Sequence, residues 1–128
     1  MSLKIDVVQV LPGYYEFALD GRLDTETYPA LEKSAQELLD KQARGIRLNM
    51  AKLNYISSMG LRVILKITKE LKQRKGVFQL VNMQPQIQKV MEIAAALPKE
   101  AVFSSIQEAD AYFDAMQKKA LGQSNTPE

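Results

Sequence analysis

The chain of 128 residues carries 17 basic and 15 acidic side chains, a net charge of +2, and has neither cysteine nor histidine. That length fits one domain able to bury a core without covalent staples. The two missing residue types exclude disulfides, thiolate metal sites, Ser-His-Asp and Cys-His catalysis, so a non-enzymatic interaction domain is expected.

Leu3, Ile5 and Val7 alternate with Lys4 and Asp6, the pattern of a half-buried strand. Pro12-Gly13 marks a tight turn. Tyr15, Phe17 and Leu19 then alternate with Glu16, Ala18 and Asp20, completing a β-hairpin. Gly21-Arg22-Leu23-Asp24 leads out of it. A helix is expected to start at Thr25 or Thr27, because Pro29 is tolerated only in a first turn. Its apolar face is Tyr28, Leu31, Ala35, Leu38 and Leu39, and Gly45 ends the segment. Asp24, just ahead of this helix, suits the positive end of the dipole.

The strand Ile46-Arg47-Leu48-Asn49-Met50 follows, then a polar turn and two serines, Ser57 and Ser58, where a long amphipathic helix must begin. Either serine can be the N-cap. Leu61, Ile64, Leu65, Thr68 and Leu71 fall on one helical face, with Arg62, Lys66 and Lys69 in a basic stripe beside it. Such a stripe is either a solvated face or a contact for an acidic partner. Lys72, Arg74 and Lys75 lead to Gly76, a C-terminal stop. Val77 to Val81 is nearly all apolar, as in a strand covered on both faces.

Pro85 opens a further helix, with Ile87, Val90, Met91 and Ala94 on one face and Pro98 beyond its end. Ala101-Val102-Phe103 reads as a short strand or an apolar connector. Ser105 and Glu108 fit a capping box before a last helix, whose stripe is Ala109, Tyr112, Phe113 and Met116. The expected fold is α/β: one mixed sheet of four to five strands flanked by about four helices, its inner strands parallel because β-α-β crossovers require it. The domain is expected to span residues 3–117, and residues 118–128 to form a disordered tail with little to bury.

The stretch Ser57-Ser58-Met59-Gly60-Leu61-Arg62 resembles the Asp-Ser-Ser-Gly-Leu-Gly turn of STAS domains in bacterial anti-sigma factor antagonists. Gly21-Arg22-Leu23-Asp24 is similar to that family's Gly-x-Leu-Asp. In the family the serine directly after the Asp is phosphorylated by a partner kinase. The resemblance therefore implies phosphorylation at Ser58, with Ser57 the alternative because two hydroxyls adjoin. It implies a partner-binding surface made by Asp24, Ser57, Ser58, Met59, Gly60 and Arg62. The implied partner is an anti-sigma factor with serine-kinase activity, together with a phosphatase. Two positions depart from the pattern: Ser57 stands where the family has Asp, and Arg62 where it has Gly.

A phosphate adds about −1.5 to −2 charges. At a helix N-terminus it meets free N–H groups, so the helix is expected to stay in place while the partner is repelled. Two other readings use the same residues: a STAS scaffold or transport-associated subunit in which the serine only caps, and a small-ligand or nucleotide-binding regulator using the turn as an anion nest. No phosphate loop or nucleophile elbow occurs, and no cofactor or metal is expected, since Asp20, Asp24 and Glu26 read as solvated loop acids. The balanced charge gives no reason for direct nucleic-acid binding. No apolar run approaches the ~20 residues that span a bilayer, and Met1 to Asp6 lacks the apolar core of a signal peptide, so no membrane insertion and a cytoplasmic location are expected.

Overall fold

The computed structural model describes residues 2–96 and 106–122. Four strands, β1 (Leu3–Leu11), β2 (Tyr14–Leu23), β3 (Gly45–Ile56) and β4 (Val77–Val81), form one sheet in the order β1-β2-β3-β4. The helices are α1 (Tyr28–Asp40), α2 (Ser58–Gln73), α3 (Pro85–Ala96) and α4 (Ile106–Ala120). β1 and β2 are an antiparallel hairpin turned at Pro12-Gly13, with Gly13 at φ 84°. β2, β3 and β4 are parallel, as the crossovers through α1 and α2 demand. This is the mixed α/β sheet with four flanking helices that the sequence leads one to expect.

Alternation decides which face is covered. Phe17 and Leu19 of β2 and Ile46, Leu48 and Met50 of β3 are all at most 2% exposed, against Leu31, Ala35 and Leu39 of α1 and Val63, Ile64, Ile67 and Leu71 of α2. Each fully buried Val, Leu, Ile, Met or Phe side chain among them is worth roughly 1.5–3 kcal/mol. The opposite face carries a polar ladder instead: Arg47 Nε donates to Glu16 Oε1 at 2.8 Å, and Asn49 Nδ2 to Glu16 Oε2 at 3.0 Å. Hydrogen bonds from Asn49 and then Arg47 hold the Glu16 carboxyl below its ordinary range.

Three sequence expectations need correction. β4 is not covered on both faces: among the described residues it is the last strand of the sheet, with Val77 48% exposed and Gln79 exposed. Leu65 does not belong to the buried face of α2, being 57% exposed, while Val63 and Ile67 are buried in its stead. The helix is rolled toward α1, where exposed Lys66 donates to Glu32 at 2.8 Å. At the end of α2 the left-handed residue is Lys75 (φ 60°), not Gly76. Gly76 is needed because a Cβ there would lie 2.7 Å from the Arg44 carbonyl oxygen.

Elsewhere the differences are smaller. β1 is half-buried only at Leu3 and Ile5, and Val7 is already 44% exposed. α4 runs through Ala120, three residues into the segment expected to be a disordered tail with little to bury. The possible strand Ala101-Val102-Phe103, the cap at Ser105 and residues 123–128 lie outside the described residues.

β3 outruns its neighbour, and that positions the site. Its ladder with β4 ends at the pair Asn49–Val81, and no other described strand lies along the outer edge of residues 50–56. Glutamine side chains take that edge: Gln84 Nε2 donates to the Ala51 carbonyl at 2.8 Å and Gln86 Nε2 to the Asn54 carbonyl at 3.1 Å. At the end of the strand Gln117 of α4 does both jobs of a backbone partner. Its Oε1 accepts from the Ile56 N–H at 2.9 Å, and its Nε2 donates to the Ile56 carbonyl at 2.7 Å.

Candidate functional site

β2 and β3 end side by side, with Leu23 paired to Ile56 and both fully buried. The C-terminal ends of parallel strands are where an open α/β sheet presents its working surface. The Ser57 N–H donates to the Leu23 carbonyl at 2.9 Å, extending the ladder by one residue before the chain turns into α2. Ser57 is extended (φ −95°, ψ 174°) and is the N-cap, its hydroxyl accepting from the Gly60 N–H at 3.2 Å. It is 2% exposed. Gly60 is buried too, because a Cβ there would lie 2.7 Å from Leu23 Cγ and 2.9 Å from the Leu23 carbonyl oxygen. Only a glycine lets the first turn of α2 settle on the end of β2.

Ser58 is the first residue of α2 and is half-buried. Its hydroxyl donates to Asp110 Oδ1 of α4 at 2.6 Å, and its N–H donates to the same oxygen at 2.9 Å. A carboxylate at a helix N-terminus meets unpaired N–H groups and the positive end of the dipole. Met59 is half-buried, while Arg62 is exposed and makes no ion pair among the described residues.

Asp24 lies in the turn after β2. Its Oδ1 accepts from the Glu26 N–H (3.0 Å), the Thr27 N–H (3.1 Å) and the Thr27 hydroxyl (3.2 Å), and Arg22 Nε approaches Oδ2 at 3.4 Å. Burial alone would raise its pKa, but these hydrogen bonds outweigh it and hold the carboxyl below its usual value. The Arg22 guanidinium also lies 4.0 Å over the ring of Tyr55. Burial, then Asp114 and Asp110, push the Tyr55 phenol up, against the opposing effect of Arg22. The end of the sheet thus carries a polar rim in which Asp24 and Asp110 accept hydrogen bonds from the backbone at the starts of α1 and α2.

A family model described as the STAS domain matches residues 7–109. The chain belongs to the STAS-domain family. It is 33% identical over 113 residues to BtrV of Bordetella bronchiseptica, named as an anti-sigma factor antagonist, covering 88% of this chain and 95% of that one. With the anti-sigma-B factor antagonist of Staphylococcus aureus it shares 28% identity over 93 residues, 73% of this chain and 85% of that one. The Bacillus protein SpoIIAA has the same fold in its phosphorylated form, with TM-score 0.63 and 22% identity over 71% of this chain and 83% of that one. An anti-sigma factor antagonist from Mycobacterium paratuberculosis gives TM-score 0.66 at 17% identity, over 88% of this chain and 95% of that one.

Within this STAS domain the residues singled out in the sequence do gather at one end of the sheet, but not as equals. Ser57 and Gly60 are buried and build the turn; Ser58, Met59 and Asp24 are part-exposed and Arg62 is open. Sequence reasoning missed Asp110, Gln117 and Tyr55. Gln117 had a signal, since it breaks the apolar stripe Ala109, Phe113 at the next i+4 position and is itself 3% exposed. Asp110 had none, being one acid among several on its helix. No group of three or more acids able to hold a metal occurs among the described residues, and no helix there is long and apolar enough to cross a membrane.

Proposed function

We propose that this STAS protein is an anti-sigma factor antagonist. It binds an anti-sigma factor with serine-kinase activity, releasing the sigma factor, and is switched off when that kinase phosphorylates Ser58; a phosphatase resets it. The nucleotide belongs to the partner. The observation that carries the reading is the contrast between the two serines. The Ser57 hydroxyl is buried and spent on the cap, whereas Ser58 is half-buried at the mouth of the helix. The names of the relatives support the same role. Asp24, Met59 and Arg62 form the rim that a partner covers, and exposed Leu65, Lys69 and Lys72 continue that surface along α2.

A dianion on Ser58 leaves the buried anchors of α2 untouched but places charge inside the covered surface. The rival reading, a scaffold in which Ser58 is purely structural, has the Asp110 hydrogen bond in its favour. Incubation with the cognate kinase and ATP separates them. Peptide mass spectrometry should find phosphate on Ser58 and none on Ser57, and Ser58→Ala should stay bound to the partner in ATP while the wild type dissociates. Phosphate on Ser57, or on neither serine, rules the reading out.

A further inference from the structure

We infer that Asp110 carries the state of Ser58 to α4: it latches α4 onto α2 while the serine is free and is expelled once the serine bears a phosphate. The inference rests on reading Ser58 as the modified residue.

The latch is one oxygen with two donors. Asp110 Oδ1 receives both the hydroxyl and the N–H of Ser58, at 2.6 and 2.9 Å. Phosphorylation removes the first donor outright, because the hydroxyl proton is replaced by phosphorus. The serine oxygen, now an ester oxygen without a proton, would face a carboxylate oxygen across the same gap. The new group also brings about −1.5 to −2 charges to the helix end that Asp110 occupies and competes for its N–H groups. The phosphate is covalently tied to α2, so the carboxylate must leave.

The rest of the surroundings decide how far the change goes. α2 stays, anchored by Leu61, Val63, Ile64, Ile67 and Leu71, all at most 6% exposed. The later part of α4 is held by Phe113, 5% exposed, and by the two hydrogen bonds of Gln117 to Ile56. Lys118, the first basic residue of α4, is already paired with Asp114 at 3.2 Å. Ala109 is buried as well, but the hydrogen bonds from the first turns of α4 to α2 among the described residues run through Asp110, so those turns loosen while the remainder stays docked. α2 keeps its place, as its charge-tolerant N-terminus leads one to expect, and the response reaches α4.

The test uses the full chain with phosphoserine installed at position 58 during synthesis, so it needs no kinase. Amide hydrogen exchange should quicken about tenfold or more at residues 110–113, with little change at residues 63–71. Asp110→Ala should show fast exchange at residues 110–113 with or without the phosphate. Asp110→Asn should stay protected in both states, since its amide can donate to the phosphate and carries no charge. Unchanged exchange in the phosphorylated wild type, or a full response to phosphate in Asp110→Ala, overturns the inference. The kinase assay is the separate arm: no label from the kinase, with the latch response intact, removes the functional reading alone.

Discussion

At the start of α1 the side-chain hydrogen bonds among described residues all come from within five positions: Asp24 to Glu26 and Thr27, and the Thr27 hydroxyl to the Arg22 carbonyl. At the start of α2 only the Ser57 cap is local among the side-chain hydrogen bonds of the described residues, and the others reach Asp110 and Gln117, 52 and 61 residues away. Both helices leave the same end of the sheet and both have a serine or threonine as cap residue. The difference lies in what must be folded first. The α1 start closes on itself, whereas the α2 start is complete only when α4 is in place. A helix start that depends on a distant carboxylate can be altered by chemistry at one hydroxyl; a self-contained knot cannot.

Removing the distant clamp is the severest way to break this contrast. Gln117→Leu fills the same space but leaves the buried Ile56 N–H and carbonyl without partners. The expected loss is about 2–5 kcal/mol, since each unsatisfied buried group costs about 1–3 kcal/mol. Thr27→Val, which removes one local hydroxyl of similar burial, should cost only about 1–2 kcal/mol. Denaturant midpoints of the two variants decide the matter, and equal losses would mean that distance in sequence is irrelevant to how the two starts are held.

A gentler probe is pH, which acts on the local knot. The Asp24 carboxyl is held below its usual value in the folded chain, despite its burial, by the hydrogen bonds from Glu26, Thr27 and Arg22. A lowered folded pKa means that the protonated unfolded state is favoured in acid, so stability rises with pH through this range. The contribution is fully present above about pH 5 and fades as the pH falls below the unfolded value near 3.9 and on through the folded one. The stability gap between wild type and Asp24→Asn should therefore be largest at neutral pH and narrow toward pH 3. A gap of constant size would show that the knot depends on shape and not on charge.

The same contrast explains what the sequence reveals. The hairpin, the crossovers and the face of α1 are legible because alternation, helical spacing and turn residues act over a few positions. The turn at Ser57 to Gly60 is legible because a cap and a small residue at fixed spacing have a local physical cause. β4 and Leu65 were misread for one reason: an apolar residue announces a capacity to be buried, not whether a neighbour arrives to bury it. Asp110 was invisible because its meaning lies in a partner 52 residues away. Of what α4 brings to the site, local pattern shows only Gln117, as a break in an apolar stripe, and not the residue it meets.

The smallest expected effect concerns Arg62, four residues past Ser58 on the same side of α2 and exposed, with no ion pair among the described residues. With the serine free, its charge near a helix N-terminus is mildly unfavourable, so Arg62→Ala should leave stability unchanged or slightly improved. With phosphate on Ser58 the sign reverses, because a guanidinium four residues on can reach a dianion that has just displaced Asp110. The pair is open to solvent, so the expected loss in the phosphorylated form is only about 0.3–1 kcal/mol. It should shrink further in 1 M salt, where screening acts within about 3 Å. Thermal melts of both forms, with and without Arg62, read this as a difference of differences. Equal shifts in the two forms would leave Arg62 as a residue for the partner alone, and the start of α2 would then answer to phosphate only through α4.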